Sequence, residues 1–381
     1  MIPYGRQQIT PEDEAAVLAV LRSDWLTQGP KVPEFEAAVT RATGAAHGVA
    51  VNSATSALHI ACLALGLGPG DLMWTSPVTF VASANVGRLC GAEVDFVDID
   101  AETFNICPRA LEAKLATAAQ AGRLPKVLMP VHMCGQSADM ARIGALARRY
   151  GVRVIEDASH AIGARLGERP VGDCARSDIC VFSFHPVKIV TTAEGGVATT
   201  NDAMLAAAMA RLRSHGVTRD SALMTEPSHG PWYYQQIELG LNYRMTELQA
   251  ALGVSQMARL ADVVARRTAL ADAYDAALAG LPLRRPGRLE QAQSSWHLYV
   301  VRVAAERRRA VFEALRADGI GVNVHYIPVH LQPWWRAQGF GPGDFPVAEA
   351  YYAGAISIPL YAGLSDEDQA RVVAALGRAL A

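Results

Sequence analysis

Six cysteines (Cys62, Cys90, Cys107, Cys134, Cys174, Cys180) are present, but no Cys-x-x-Cys pair occurs among them. Most sit in apolar stretches, which reads as reduced, buried thiols and argues against a disulfide framework. His132 and Cys134 lack a second ligand pair nearby, so no metal site is expected. Nowhere do about eighteen apolar residues run uninterrupted, the length a membrane span needs. The opening MIPYGRQQITPEDE lacks the basic-then-apolar order of an export signal. Positive charge is not in excess either: Lys+Arg 35 against Asp+Glu 37 gives −2, so neither nucleic acid nor a membrane is an expected partner. The basic ERRRA at 306–310 reads as a solvated helix face. No internal repeat or low-complexity tract appears. These absences place the chain in the cytoplasm as a protein acting on small molecules.

With 381 residues, 51% hydrophobic and 19% charged, the chain can bury a sizeable core. Thr10-Pro11-Glu12-Asp13 carries a capping hydroxyl, a proline at the first helical position and acids in the first turn, so a helix starts there. From residue 47 to about 200, the runs HGVAVN, LMWT, AEVDFVDI, KVLMPV, VRVIED, DICVFSF and GGVATT mostly alternate with Ala/Leu-rich helical stretches. That rhythm predicts an α/β fold with a mostly parallel sheet and helices on both faces. Residues 245–278 read as long helical material, and the Gly/Pro-rich 280–287 precedes a strand-like WHLYVVRV, giving a smaller C-terminal α+β unit.

Three segments carry chemistry. VRVIEDASH ends a strand in Glu156-Asp157, placing a carboxylate at the ligand-binding edge of a parallel sheet. DICVFSF runs through His185-Pro186-Val187 to Lys188, which follows a buried strand and precedes a Gly-rich turn. NSATSALHIACLAL turns from strand to helix through small hydroxyl residues, and exposed N–H groups at the helix start, with the Thr55 and Ser56 hydroxyls, suit a phosphate. A phosphate cradle, a carboxylate and a lysine are together what pyridoxal 5′-phosphate requires. A dinucleotide-dependent oxidoreductase would also suit the alternating pattern, although Gly66-Leu-Gly68-Pro-Gly70 follows a helix and lacks the dinucleotide spacing. A nucleotide-sugar-binding regulator without turnover is a third reading.

Through NSATSALHIA, SPVTFVASAN, EDASHAIG, FSFHPVK, TTAEGGVATTND and LRSHGVTR, nearly the whole chain resembles the DegT/DnrJ/EryC1/StrS family of pyridoxal-phosphate sugar aminotransferases. IPYGRQ, SDWLTQGP, ELGLNYRMTELQAALGVSQ and VHYIPVHLQPWW are most similar to the branch that makes UDP-4-amino-4,6-dideoxy-N-acetyl-β-L-altrosamine for pseudaminic acid. The resemblance implies fold type I, with a large cofactor-binding unit at 26–246 and a smaller one built from 1–25 and 247–381. It implies that Lys188 condenses with the cofactor, Asp157 faces the pyridine nitrogen and Phe80 lies on the ring. Ala54, Thr55 and Ser183 would hold the phosphate, and His160 would sit near the phenolic oxygen. Asn242 would reach the cofactor of a second subunit, so a homodimer would share its sites. Tyr4, Asp24, Trp25, Leu26 and Thr27 would form one wall of the sugar pocket, with Val324, His325 and Tyr326 opposite. The implied substrates are a UDP-linked 4-ketosugar and L-glutamate, which leaves as 2-oxoglutarate; another nucleotide 4-ketosugar, of bacillosamine or perosamine type, is the alternative. The wider family carries Gln at His160, Gly at Ala54 and often Gly at Ala193. Lys188 argues against the relatives that place His there and run dehydration.

Overall fold

The computed structural model describes residues 1–381. All seven apolar runs between residues 47 and 200 form strands: β1 (His47–Val51), β2 (Leu72–Thr75), β3 (Glu93–Phe96), β4 (Val127–Met129), β5 (Arg153–Asp157), β6 (Ile179–Ser183) and β7 (Gly196–Thr200). They make one sheet in the order β1-β7-β6-β5-β4-β2-β3. The pairs from β3 through β6 are parallel, and β7 alone runs antiparallel to both its neighbours. Every residue of β6 and β7 is buried, which explains why these strands show no alternation of buried apolar and exposed polar residues.

Alternate residues feed two cores. Val49, Val51, Val181 and Ala198 pack beneath the helices Ala54–Ala64 and Ala203–Leu212. Ala50, Cys180, Phe182 and Val197 face Phe35 and Val39 of the helix Lys31–Thr43 and Ala250 and Met257 of the helix Glu247–Met257. A separate core joins β8 (Tyr299–Arg302) and β9 (Ala355–Ile358), an antiparallel pair, to Leu270, Tyr274, Val311, Leu315 and Leu376. The N-terminus straps across this second unit: Ile2 donates to the Gly319 carbonyl at 2.9 Å, and the Tyr4 carbonyl accepts from Leu360 at 3.0 Å. No helix is long and apolar enough to cross a membrane.

The helix expected at Pro11 runs Pro11–Leu21. The long helical stretch is two helices, Glu247–Met257 and Leu260–Ala277, broken at 258–259. The helix Lys31–Thr43 starts at Pro30 with no side-chain cap of its own. Glu247, 1% exposed, supplies the acceptor instead: its carboxylate takes the N–H of Lys31 at 2.6 Å and of Val32 at 3.2 Å. Gly29 permits the approach, because a Cβ there would stand 2.7 Å from Glu247 Oε2.

Candidate active site

The parallel order brings the carboxyl ends of β4, β5 and β6 to one edge, where a cavity of about 820 Å³ opens between the large unit and the segment 323–326. Into it converge Ala54, Thr55, Phe80, Asp157, His160, Ser183 and Lys188, together with Tyr4, Val324, His325 and Tyr326. A hollow of about 920 Å³ beside Arg169 and Glu290 lies elsewhere on the surface, is lined largely by polar and charged residues, and contains none of these groups.

Asp157 ends β5, 4% exposed. Its Oδ1 accepts the Ser159 hydroxyl at 2.5 Å and the Ser159 N–H at 3.1 Å, and its Oδ2 accepts the Ser83 hydroxyl at 2.6 Å. Three donors thus hold the carboxylate in one orientation. Behind it, His132 accepts the Ala138 N–H on Nδ1 at 3.0 Å, so its proton sits on Nε2 and goes to Glu156 at 2.7 Å. The Ser177 hydroxyl donates to the other Glu156 oxygen. The His132 N–H meets the Asp157 carbonyl at 2.9 Å, which ties this buried network to the strand end.

Lys188 lies in the turn after β6, its N–H on the His185 carbonyl at 2.9 Å. The chain has four lysines. Lys31, Lys114 and Lys126 each stand against a carboxylate, at 2.6, 2.6 and 2.9 Å, whereas Lys188 has no ion-pair partner. Burial lowers its amine from 10.5 to about 8, against the opposing pull of Asp157. A minor but appreciable fraction of the amine is therefore neutral near neutral pH, far more than at the ordinary value, and the neutral form is the one that can act as a nucleophile.

At the third corner, Ser53 caps the helix Ala54–Ala64 by accepting the Ser56 N–H at 3.1 Å. The N–H groups of Ala54 and Thr55 have no intrahelical acceptor. Gly196 lets this turn settle onto the sheet, since a Cβ there would meet Ala54 N at 2.7 Å. The Ser56 hydroxyl, expected as a phosphate donor, is instead given to Asn52 Oδ1 at 2.6 Å. Ala193 sits at φ 65°, a left-handed conformation that costs an alanine about 1 kcal/mol relative to glycine.

Across the cavity, the His325 ring is 5.3 Å from Tyr4 and hydrogen-bonds Ser357 through Nδ1 at 2.8 Å. Burial, then the Lys188 charge, lowers its pKa to about 4, leaving it neutral. Phe80 is 59% exposed and stands 6.2 Å from the Tyr326 ring. Asn242 and residues 24–27 do not line this cavity and are all exposed. They lie on neighbouring chain: Thr27 bridges Thr246, and the Asn242 carbonyl is 3.5 Å from Asn52 Nδ2. Sequence reasoning passed over Ser83, Ser159 and His297. The first two stand inside motifs whose hydroxyls look generic until Asp157 is seen between them.

The donor set fits pyridoxal phosphate: unpaired helix-start N–H groups for the phosphate, an anchored carboxylate, and one unpartnered lysine. The sequence profile of the DegT/DnrJ/EryC1/StrS aminotransferase family matches residues 7–377. The chain belongs to that family. It is 40% identical over 382 residues to the spore coat polysaccharide biosynthesis protein SpsC of Bacillus subtilis, covering 98% of this chain and 96% of that one. The putative sugar aminotransferase Spr1654 of Streptococcus pneumoniae, in its PMP-form, superposes with a TM-score of 0.91 at 31% identity over 100% of this chain and 99% of that one. PseC of Helicobacter pylori, an aminotransferase involved in the biosynthesis of pseudaminic acid, gives 0.91 at 29% identity over 100% and 99%. As a member of this family, the chain is a pyridoxal-phosphate-dependent sugar aminotransferase with a mostly parallel α/β fold.

Proposed function

We propose that this sugar aminotransferase moves an amino group from L-glutamate to carbon 4 of a UDP-linked 4-keto-6-deoxy N-acetyl sugar, giving UDP-4-amino-4,6-dideoxy-N-acetyl-β-L-altrosamine for pseudaminic acid. The observation that carries this reading is the meeting of Tyr4, Val324, His325 and Tyr326 with Lys188 and Asp157 in one cavity. Aromatic rings on that wall suit the two methyl groups of such a sugar, while Asn323 and the hydroxyl of Tyr326 offer polar contacts. The likeness to PseC adds support. A second reading, another nucleotide 4-ketosugar, draws on the higher identity to SpsC.

The cofactor, when bound, supplies a carbonyl carbon that accepts the amino group and a ring that withdraws electrons from the donor's α-carbon. In this reading Asp157 keeps the pyridine nitrogen protonated, and Ser83 and Ser159 prevent the carboxylate from turning away. Lys188 Nζ takes the proton from the donor's α-carbon and returns it on the cofactor side, a role its lowered pKa suits. Phe80 covers one ring face, and Ala54, Thr55 and Ser183 take the phosphate.

Asn242 and the exposed segment 24–27, with Trp25 56% and Leu26 51% exposed, complete the site of a second copy in a homodimer. The large unit, proposed at 26–246 and carrying the helix Glu247–Met257 on its sheet, and the smaller one built from the rest of 1–25 and 247–381 would then flank each cavity, acting in the cytoplasm. The deciding experiment compares kcat/KM for UDP-2-acetamido-2,6-dideoxy-β-L-arabino-hex-4-ulose with its D-xylo epimer. Preference for the first is expected; preference for the epimer selects the second reading.

A further inference from the structure

His160 is 5% exposed and both its ring nitrogens are engaged by protein. Nδ1 accepts the backbone N–H of Cys134 at 3.3 Å, and an amide can only donate. Burial, with the Lys188 charge adding to it, holds the imidazole well below its ordinary pKa, so the ring is neutral. A neutral imidazole with a bare Nδ1 carries its proton on Nε2. That atom is 3.1 Å from the Tyr326 hydroxyl oxygen, so His160 donates and Tyr326 accepts. His297 packs against this ring at 4.3 Å between centroids, and the two hydrogen bonds hold its orientation.

Tyr326 is then left with a hydroxyl proton that has no acceptor in the protein. Its ring is half-buried and lines the cavity that holds Asp157 and Lys188. Burial pushes the phenol well above its ordinary range, so the proton stays. We propose that the Tyr326 hydroxyl donates a hydrogen bond to a ligand oxygen in this cavity, and that His160 is the positioning residue that fixes the direction of that donation. The oxygen is electron-rich: either the ring oxygen of the cofactor or the keto oxygen of the sugar. His160 thereby acts on the site through Tyr326 and not by its own contact. The second source rests on the ketosugar reading above; the first does not.

The test uses Tyr326→Phe, which keeps the ring's packing, together with His160→Leu and His160→Gln. One arm titrates the apoprotein with pyridoxal 5′-phosphate and reads the dissociation constant. The other reads half-saturation by the UDP-linked 4-ketosugar in single turnovers of the aminated enzyme. Losing one such donor should weaken the affected arm by about tenfold. A loss in the first arm identifies the cofactor oxygen, and a loss in the second the sugar oxygen. His160→Leu should reproduce the loss, and add nothing in the Tyr326→Phe background. His160→Gln, whose amide offers both an acceptor for Cys134 and a donor for Tyr326, should restore wild-type behaviour. If Tyr326→Phe changes neither arm, or His160→Leu costs as much without the Tyr326 hydroxyl as with it, the proposal falls. Should the wild type fail to use the ketosugar, the cofactor titration alone decides.

Discussion

Consider raising the pH around the apoprotein while a small amine reagent, formaldehyde with a mild reductant, labels its lysines. Only the neutral amine reacts. With its pKa lowered to about 8, roughly a quarter of Lys188 side chains are neutral at pH 7.5, against about one in a thousand at the ordinary 10.5, a difference of ~250-fold. The labelling rate of Lys188 should therefore climb about tenfold per pH unit up to pH 8 and then level off. Peptide mass spectrometry of one digest reads it beside Lys31, Lys114 and Lys126, which stand against carboxylates and serve as internal comparisons. Asp157 pulls the pKa upward, so Asp157→Asn should move the midpoint to lower pH. A Lys188 rate still rising through about pH 10 would show that the cavity does not desolvate the amine.

Three further outcomes are expected. Asp157→Asn should slow single-turnover proton transfer by several orders of magnitude with the fold intact, and a near-wild-type rate would remove Asp157 from its role at the ring nitrogen. Mixed Lys188→Ala and Asn242→Ala chains should regain activity toward half of wild type, because one site of each heterodimer escapes both lesions; confirmed heterodimers without activity would refute shared sites. Glu156→Leu strands the buried His132 Nε2–H and removes the acceptor of the half-buried Ser177 hydroxyl, and should lower stability by about 2 kcal/mol in guanidinium unfolding, whereas a loss under about 1 kcal/mol would mean the network relaxes.

The sheet was legible because buried strands leave β-rich apolar runs, and the meeting of Asp157 and Lys188 in one cavity because Asp157 ends one such strand and Lys188 lies in the turn after the next. The partners of Asp157 were not legible. Ser83 is 74 residues away in sequence, and nothing local distinguishes its hydroxyl from those of Thr79 or Ser76. Asp13 looked like an acid in a helix's first turn; in the fold it is fully buried, taking the Ser255 hydroxyl, Gln256 and Arg259, each at 2.6 Å. Such long-range pairings leave no periodic trace. The resemblance put residues 24–27 on the sugar pocket, but the chain does not bring them to its own cavity.

The acceptor that Glu247 lends to the helix Lys31–Thr43 also sets an order of assembly. While the chain emerges from the ribosome, the first N–H groups of that helix have only water until 216 further residues have been made, and closing so long a loop is slow. Residues 24–27 hang from the same junction, since the Leu26 carbonyl accepts the Glu247 N–H at 3.1 Å. The wall assigned to a second copy's sugar pocket is thus among the last parts of the large unit to set. A chain interrupted before Glu247 would carry Lys188 and Asp157 yet present an unformed face to its partner.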